Sequence, residues 1–192
     1  MTRTSSLFHV AAKRRAVLDS FARSNLGRGG FVFCHMAVKL NHTLVDSRDR
    51  DASALFLSEL LGIDPPLVLG PFALVKVGDE LTLDFRHVER EIKPQHYAFL
   101  VSEREFDEIF ARIEKRQLDF WADPHKSRPH EINHWDDGRG VYFEDPNGHL
   151  LEVITRSYGS AGVQTKNPHP LVAEKLERKD QAADGSTKAA PH

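Results

Sequence analysis

The chain is poor in three features that would restrict its class: it has one cysteine, Cys34, almost no net charge and no long apolar run. One cysteine cannot form an internal disulfide and is typical of a reducing compartment, so we expect a cytoplasmic location. The formal net charge of −2 gives no reason to expect nucleic acid or a membrane surface as a partner. No apolar run approaches the roughly 18 residues of a membrane span, so no membrane partner is expected.

Both ends of the 192-residue chain differ from its middle. Residues 1–35 carry six arginine and lysine residues against one acid, Asp19, with several serines among them. This composition weakly resembles a transit peptide, but we interpret the segment as a peripheral N-terminal extension. Residues 157–192 are expected to form a peripheral C-terminal tail with one short helix over 171–178.

Between these ends, residues 36–156 contain an internal repeat. The stretch 42–61 aligns without a gap on the stretch 96–115, and this alignment superposes His42 on His96. The repeat therefore predicts one domain that is made of two equivalent modules.

Each module, 36–91 and 94–156, begins as a strand and continues as a helix. In the second module Ser102 and Glu105 form a capping box, and apolar residues recur after them at helical spacing: Phe106, Ile109, Phe110 and Ile113. Strand-like stretches follow each helix, so each module is interpreted as β-α-β-β-β. This order predicts an α+β fold in which the paired modules form a cup-shaped, partly closed mixed sheet with the helices outside.

A tight turn at 145–148, with the sequence DPNG, fixes the register of the last hairpin. Proline at the second position and glycine in the left-handed conformation suit a short hairpin connection. The resulting register pairs Tyr142 with Glu152. Directly opposed residues project from the same face of a sheet, so these two side chains should lie together, while His149 and Leu151 point to the other face.

Three polar strand residues predict a metal site. A buried carboxylate without a partner costs several kcal/mol, so Glu152 on an enclosed strand face needs a reason. His42 and His96 occupy equivalent places in the repeat, and Glu152 lies on its last strand. Two imidazoles and one carboxylate can bind a divalent metal from one side and leave the opposite positions open, as in the facial triad of non-heme Fe(II) enzymes.

The repeat and these residues resemble the vicinal oxygen chelate superfamily, the glyoxalase, bleomycin-resistance and dioxygenase fold. The resemblance covers about residues 36–156. It implies paired β-α-β-β-β modules and a divalent metal at the base of the cup, held by His42, His96 and Glu152. Because this architecture often pairs, it also implies a homodimer or a higher homo-oligomer.

The stretch 132–152, INHWDDGRGVYFEDPNGHLLE, also resembles the signature of extradiol ring-cleavage dioxygenases. Its right half recurs across the superfamily, and the half around His134 carries the discrimination. The resemblance, to single-domain members, implies Fe(II), or occasionally Mn(II), a catechol bound through both oxygens, O₂ as co-substrate and a place in aromatic catabolism. His134 would be the acid/base group, and Tyr142 would hydrogen-bond the diol.

Two other functions of this fold stay open. A glyoxalase, epimerase or thiol transferase would use Mn(II), Zn(II) or Ni(II) with a fourth protein ligand, for which Asp84 is the candidate. Strand alternation leaves undecided whether Asp84 or its neighbours Leu83 and Phe85 face the cup. The other function is a metal-free binding protein of the drug-resistance type. The resemblance to extradiol dioxygenases also implies a second active-site histidine before His96. His87 is the nearest candidate, and we assign it no role.

Overall fold

The computed structural model of the chain describes residues 38–161 and 165–174. From Lys39 onward these residues belong to one unit. The expected N-terminal extension, 1–35, lies outside the described residues. The expected short C-terminal helix begins at residue 170, and the described part of it ends at 174. Within the described ranges no helix combines the length and the apolar character needed to cross a bilayer.

The first module folds in the predicted order. Its strands form a mixed sheet in the order β1-β4-β3-β2, with β1 parallel to β4. The elements are β1 (His42–Ser47), α1 (Arg50–Leu61), β2 (Leu67–Leu69), β3 (Phe72–Val77) and β4 (Leu81–His87). The side chain of Asp49 accepts hydrogen bonds from two N–H groups in the first turn of α1, and Gly62 ends the helix with a φ of 71°.

The second module repeats this architecture. Its strands follow the order β5-β8-β7-β6, with β5 parallel to β8. The elements are β5 (His96–Leu100), α2 (Glu103–Lys115), β6 (Phe120–Trp121), one 3-10 turn (Trp135–Asp137), β7 (Gly140–Glu144) and β8 (Leu150–Ile154). The capping box of Ser102 and Glu105 is formed at the start of α2. The predicted fold class is therefore confirmed, although the two sheets, over the described residues, are not joined into one closed sheet.

Each sheet packs one face against the helices and turns the other face away from them. Leu83 and Phe85 of β4 are buried in the common core. Asp84, between them, therefore projects from the opposite face, where its partner across the strand pair is Leu44. His42 lies on that same face, because it precedes Leu44 by two residues. This packing resolves what strand alternation left open for Asp84.

The turn at 145–148 does more than close its hairpin. The amide oxygen of Asn147 accepts a hydrogen bond from Arg48 N–H at 3.0 Å, and its amide nitrogen donates to Ser53 Oγ at 2.9 Å. Arg48 and Ser53 belong to the first module, at the junction of β1 and α1. The turn predicted to set a local register therefore also fastens the second module to the first.

Candidate metal centre

Glu152 lies at the centre of the candidate site. The hairpin register pairs it with Tyr142 as predicted, and its side chain is completely buried. The hydroxyl of Tyr158 donates a hydrogen bond to Glu152 Oε1. No hydrogen-bond donor among the described residues reaches Glu152 Oε2. Burying a carboxylate oxygen without a hydrogen-bond donor costs free energy, and a bound cation would offset that cost.

His96 supplies the atom nearest to that oxygen. Its Nε2 lies 3.2 Å from Glu152 Oε2, and its side chain is 47% exposed. Its Nδ1 lies 3.0 Å from the carbonyl oxygen of Leu150, to which an Nδ1–H donates. In neutral His96 this bond leaves the Nε2 lone pair free, since only one ring nitrogen then carries a proton.

The two atoms fit a divalent metal. Ligand atoms bound at right angles, each about 2.1 Å from a metal, lie about 3.0 Å apart. The separation of 3.2 Å between His96 Nε2 and Glu152 Oε2 is close to that spacing. Fixing of a histidine tautomer by a carbonyl oxygen is also the usual arrangement behind a metal-bound imidazole. Protonated His96 would form an ion pair with Glu152 instead, so either a proton or a metal ion can balance the carboxylate.

His42 does not join this pair within the chain. Among the described residues, no cluster of three histidine, cysteine or carboxylate side chains could hold a metal. His42 lies on β1 of the other sheet, is exposed, and has its Nδ1 2.9 Å from Asn41 Oδ1. It borders a polar cleft of about 700 Å³ together with Arg86 and Lys93, whereas His96 borders a mainly apolar groove of about 710 Å³.

Tyr142 belongs to the site. Its ring stacks on His96 with 6.0 Å between the ring centroids, and its hydroxyl lies 2.6 Å from that of Tyr158. Because the Tyr158 proton is donated to Glu152, Tyr142 is the donor between the two hydroxyls. Burial, followed by the effect of the neighbouring Glu152 carboxylate, raises the pKa of both tyrosines well above the ordinary value. Both therefore remain protonated donors at neutral pH.

His134 lies just before the 3-10 turn and is exposed to solvent. Its Nδ1 is 3.3 Å from the carbonyl oxygen of Gly138. The next residue, Trp135, contacts Tyr142 and Tyr158 at 6.3 Å between ring centroids in both cases. His134 is thus attached to a segment that borders the site, while no described contact joins its own ring to Glu152 or His96.

Sequence reasoning missed three residues around Glu152. Besides Tyr158, they are Asp136 and His169, which are 1% and 6% exposed. Asp136 Oδ2 accepts a hydrogen bond from Gly159 N–H at 2.7 Å, and its Oδ1 lacks a partner among the described residues. Burial lowers the pKa of His169, against the opposing charges of Asp136 and Glu152. Tyr158 and His169 belong to the segment predicted to be a peripheral tail, and that segment has no periodic pattern that would have indicated these contacts.

His87 lies away from the site. It is exposed, and its ring nitrogens contact the carbonyl oxygen of Arg48 at 2.6 Å and Glu89 Oε1 at 2.6 Å. Hydrogen bonding to Glu89 raises the pKa of His87. These surface contacts account for both nitrogens.

Comparisons with known proteins show which proteins this chain resembles. No protein-family model matches the chain. A solved structure, Oxidase ChaP-H1, is 56% identical, covers 65% of this chain and 100% of its own length, and superposes with a TM-score of 0.64. Glutathione transferase FosA of Serratia marcescens is 31% identical over 124 residues, which span 62% of this chain and 81% of the relative. Metallothiol transferase FosB of Shouchella clausii (strain KSM-K16) is 30% identical over 122 residues, 60% of this chain and 79% of the relative.

The fold and these relatives together define the class. Paired β-α-β-β-β modules that bring a strand histidine to a buried strand glutamate are the architecture expected from the repeat. The chain belongs to the vicinal oxygen chelate superfamily. The relatives named above are enzymes by their names, and one name includes a metal.

Proposed function

We propose that this protein is a metal-dependent dioxygenase that uses O₂ on an aromatic substrate with two adjacent oxygens. Ring cleavage beside the diol, with both atoms of O₂ entering the product, is the proposed reaction. The observation that carries the proposal is the buried oxygen of Glu152, which lacks a donor and lies 3.2 Å from His96 Nε2. Oxidase ChaP-H1, 56% identical to this chain, supports O₂ chemistry over other reactions of the fold.

The metal would be held by His96 Nε2 and Glu152 Oε2, with His42 as the third ligand. A divalent metal held there would supply Lewis-acid chemistry toward the substrate oxygens, and Fe(II) would also supply the redox chemistry that O₂ requires. His96 and Glu152 would hold it through two protein atoms, which would leave room for small molecules. The remaining steps depend on side chains of this chain.

Tyr142 is proposed to bind the diol. Its own proton is donated to Tyr158, so its oxygen lone pairs are free to accept a hydrogen bond from a substrate hydroxyl. The stacking of its ring on His96 sets that oxygen at the edge of the metal pair. His134 is proposed as the acid/base group, because an imidazole can both accept and donate a proton and its segment borders the site through Trp135.

His42 is proposed to come from a second copy of the chain. It and His96 lie on sheet faces that the helices leave uncovered, and exposed apolar side chains flank both: Leu40, Leu44 and Leu100. A symmetric dimer makes each such contact twice, so the partner's His42 can meet His96 and Glu152 of this chain and the reverse. The exposed leucines would be buried in the same interface.

A thiol transferase is the second candidate, because two relatives, at 31% and 30% identity, are named as transferases. A role of Asp84 as a metal ligand would favour the transferase. Asp84 shares the uncovered face of the first sheet with His42, and its Oδ1 accepts a hydrogen bond from Thr82 Oγ1 at 2.7 Å. As a fourth metal ligand, Asp84 would occupy a coordination position that the dioxygenase reaction needs open.

The test is anaerobic reconstitution with Fe(II), followed by catechol or 2,3-dihydroxybiphenyl and air, with O₂ uptake and visible absorbance recorded together. We expect one O₂ consumed per diol and a yellow ring-fission product, lost in Glu152→Ala and slowed in His134→Ala. His125→Ala, an exposed histidine away from the site, is the matched control and should leave the rate unchanged.

The other outcomes separate the alternatives. O₂ uptake without ring fission would reject extradiol cleavage and leave a different reaction with O₂. Metal binding without O₂ uptake, together with thiol consumption in the presence of an epoxide and its loss in Asp84→Asn, would favour the transferase. Failure to bind any divalent metal would leave a metal-free binding protein and refute the proposal.

A further inference from the structure

Among the described residues, the carboxylate of Glu152 accepts its hydrogen bond from the hydroxyl of Tyr158. This bond occupies Oε1 and leaves Oε2 beside His96 Nε2. A carboxylate with one oxygen engaged in this way can give a metal a single oxygen, whereas a free carboxylate can also bind through both. What holds Tyr158 therefore also determines how Glu152 meets a metal.

Tyr158 packs in a cluster with the rings of His169 and Trp135. The ring of His169 lies 4.0 Å from the Tyr158 ring and 4.6 Å from that of Trp135, measured between centroids. The Nδ1 of His169 accepts a hydrogen bond from Leu171 N–H at 3.2 Å, which orients the imidazole. His169 is 6% exposed, so its ring fills interior space against Tyr158.

The segment that carries His169 is anchored to the loop that carries Trp135. We call residues 165–174 the C-terminal strap. The carbonyl oxygen of Asn167 accepts a hydrogen bond from Asp136 N–H at 2.6 Å, and the Asn167 amide donates to Asp137 Oδ1 at 3.2 Å. Asp136 also binds the N–H of Gly159, next to Tyr158, at 2.7 Å. The 3-10 turn thus ties both the strap and the segment of Tyr158 to the site.

We propose that the C-terminal strap is a positioning element for the metal ligand Glu152, acting through His169 on Tyr158. His169 packs Tyr158 into the one orientation in which its hydroxyl reaches Glu152 Oε1, and Glu152 then offers only Oε2. This inference rests on the proposed metal site. It assigns roles to Tyr158 and His169 as positioning residues that need not touch substrate.

The experiment compares metal binding by the full chain and its variants, with Mn(II) affinity from chelator competition and the visible absorption of bound Co(II). Tyr158→Phe keeps the ring and removes the donor. We expect a loss of about 10–100-fold in Mn(II) affinity and a changed Co(II) spectrum, because outer-shell partners of ligands carry effects of that size. His169→Ala should shift both readouts in the same direction by less. His169→Phe, which keeps a ring against Tyr158, should recover most of the loss.

Leu171→Ala is the matched control, because that side chain lies in the strap and is 71% exposed. It should bind Mn(II) and Co(II) as the wild type does. Wild-type affinity and spectrum in both Tyr158→Phe and His169→Ala would overturn this inference and leave the proposed function intact. Absence of metal binding in the wild type would refute the proposed function and this inference with it.

Discussion

A shared site between two copies of the chain predicts a specific result for mixed dimers. His42→Ala and Glu152→Ala are each expected to abolish activity, because each would remove one of the proposed metal ligands from every site. In a mixed dimer of these two variants, one site receives both substitutions and the other receives neither. The second site combines the intact His42 of one chain with the intact Glu152 of its partner.

The expected recovery follows from counting. Random reassortment of equal amounts makes about half of the dimers mixed, and one of the two sites in each mixed dimer is intact. Activity should therefore return to about one quarter of the wild-type value per site. The variants would carry different affinity tags, be unfolded in urea and refolded together, and be assayed for O₂ uptake with Fe(II) and catechol.

A second mixture serves as the control. The double variant His42→Ala/Glu152→Ala, mixed with an equal amount of wild type, leaves mixed dimers without an intact shared site. About one quarter of all sites should then be active, whereas sites within single chains would leave about one half. Mixed dimers that the tags demonstrate but that recover no activity in the first experiment would refute the shared site.

Three further predictions concern stability. Glu152→Gln should raise the free energy of unfolding in the presence of a chelator by about 1–3 kcal/mol, because it removes a buried charge. The same substitution should lower metal affinity, and urea denaturation with and without Mn(II) checks both effects. His149→Ala should lower the free energy of unfolding by about 2–4 kcal/mol, because it leaves Gln95 N–H and the Asp46 carbonyl oxygen without their partner; a smaller loss would show that water replaces the imidazole. Hydrogen bonding to Arg86 lowers the pKa of Asp46 in the folded protein. The Asp46 carboxylate therefore stabilises the fold at pH values above its unfolded pKa of about 3.9. This stabilisation is lost as the pH falls through the lower pKa of the folded state. Asp46→Asn should accordingly lower the thermal midpoint at pH 7 and make less difference at pH 2–3.

The sequence allowed the hairpin to be predicted residue by residue, because both the cause and the result are local. The DPNG turn sets the register, and the pairing of Tyr142 with Glu152 follows from it. The face on which Asp84 lies could not be predicted, since alternation specifies two faces without saying which of them the helices cover. That choice depended on the packing of Leu83 and Phe85 against the core.

The repeat was informative in a different way. It correctly predicted that His42 and His96 occupy equivalent strands, β1 and β5. Equivalence does not imply contact, because the packing of the two modules decides which equivalent positions meet. Tyr158 and His169 lay beyond prediction for a further reason. Their places depend on the 3-10 turn, in which Asp136 takes a φ of 54°, and no propensity in the tail indicates that conformation.

The hairpin turn at 145–148 and the residue after it affect both the local register and the packing of the two modules. Pro146 and Gly148 serve the hairpin alone, but Asn147 and His149 bind the first module at Arg48 and Asp46. The short segment that sets Glu152 beside Tyr142 therefore also fixes the end of β1, the strand that carries His42. Two hydrogen bonds thus hold the end of β1 to the hairpin of its own chain. These contacts support the proposal that a partner chain, and not a rearrangement of the modules, would supply His42 to the site.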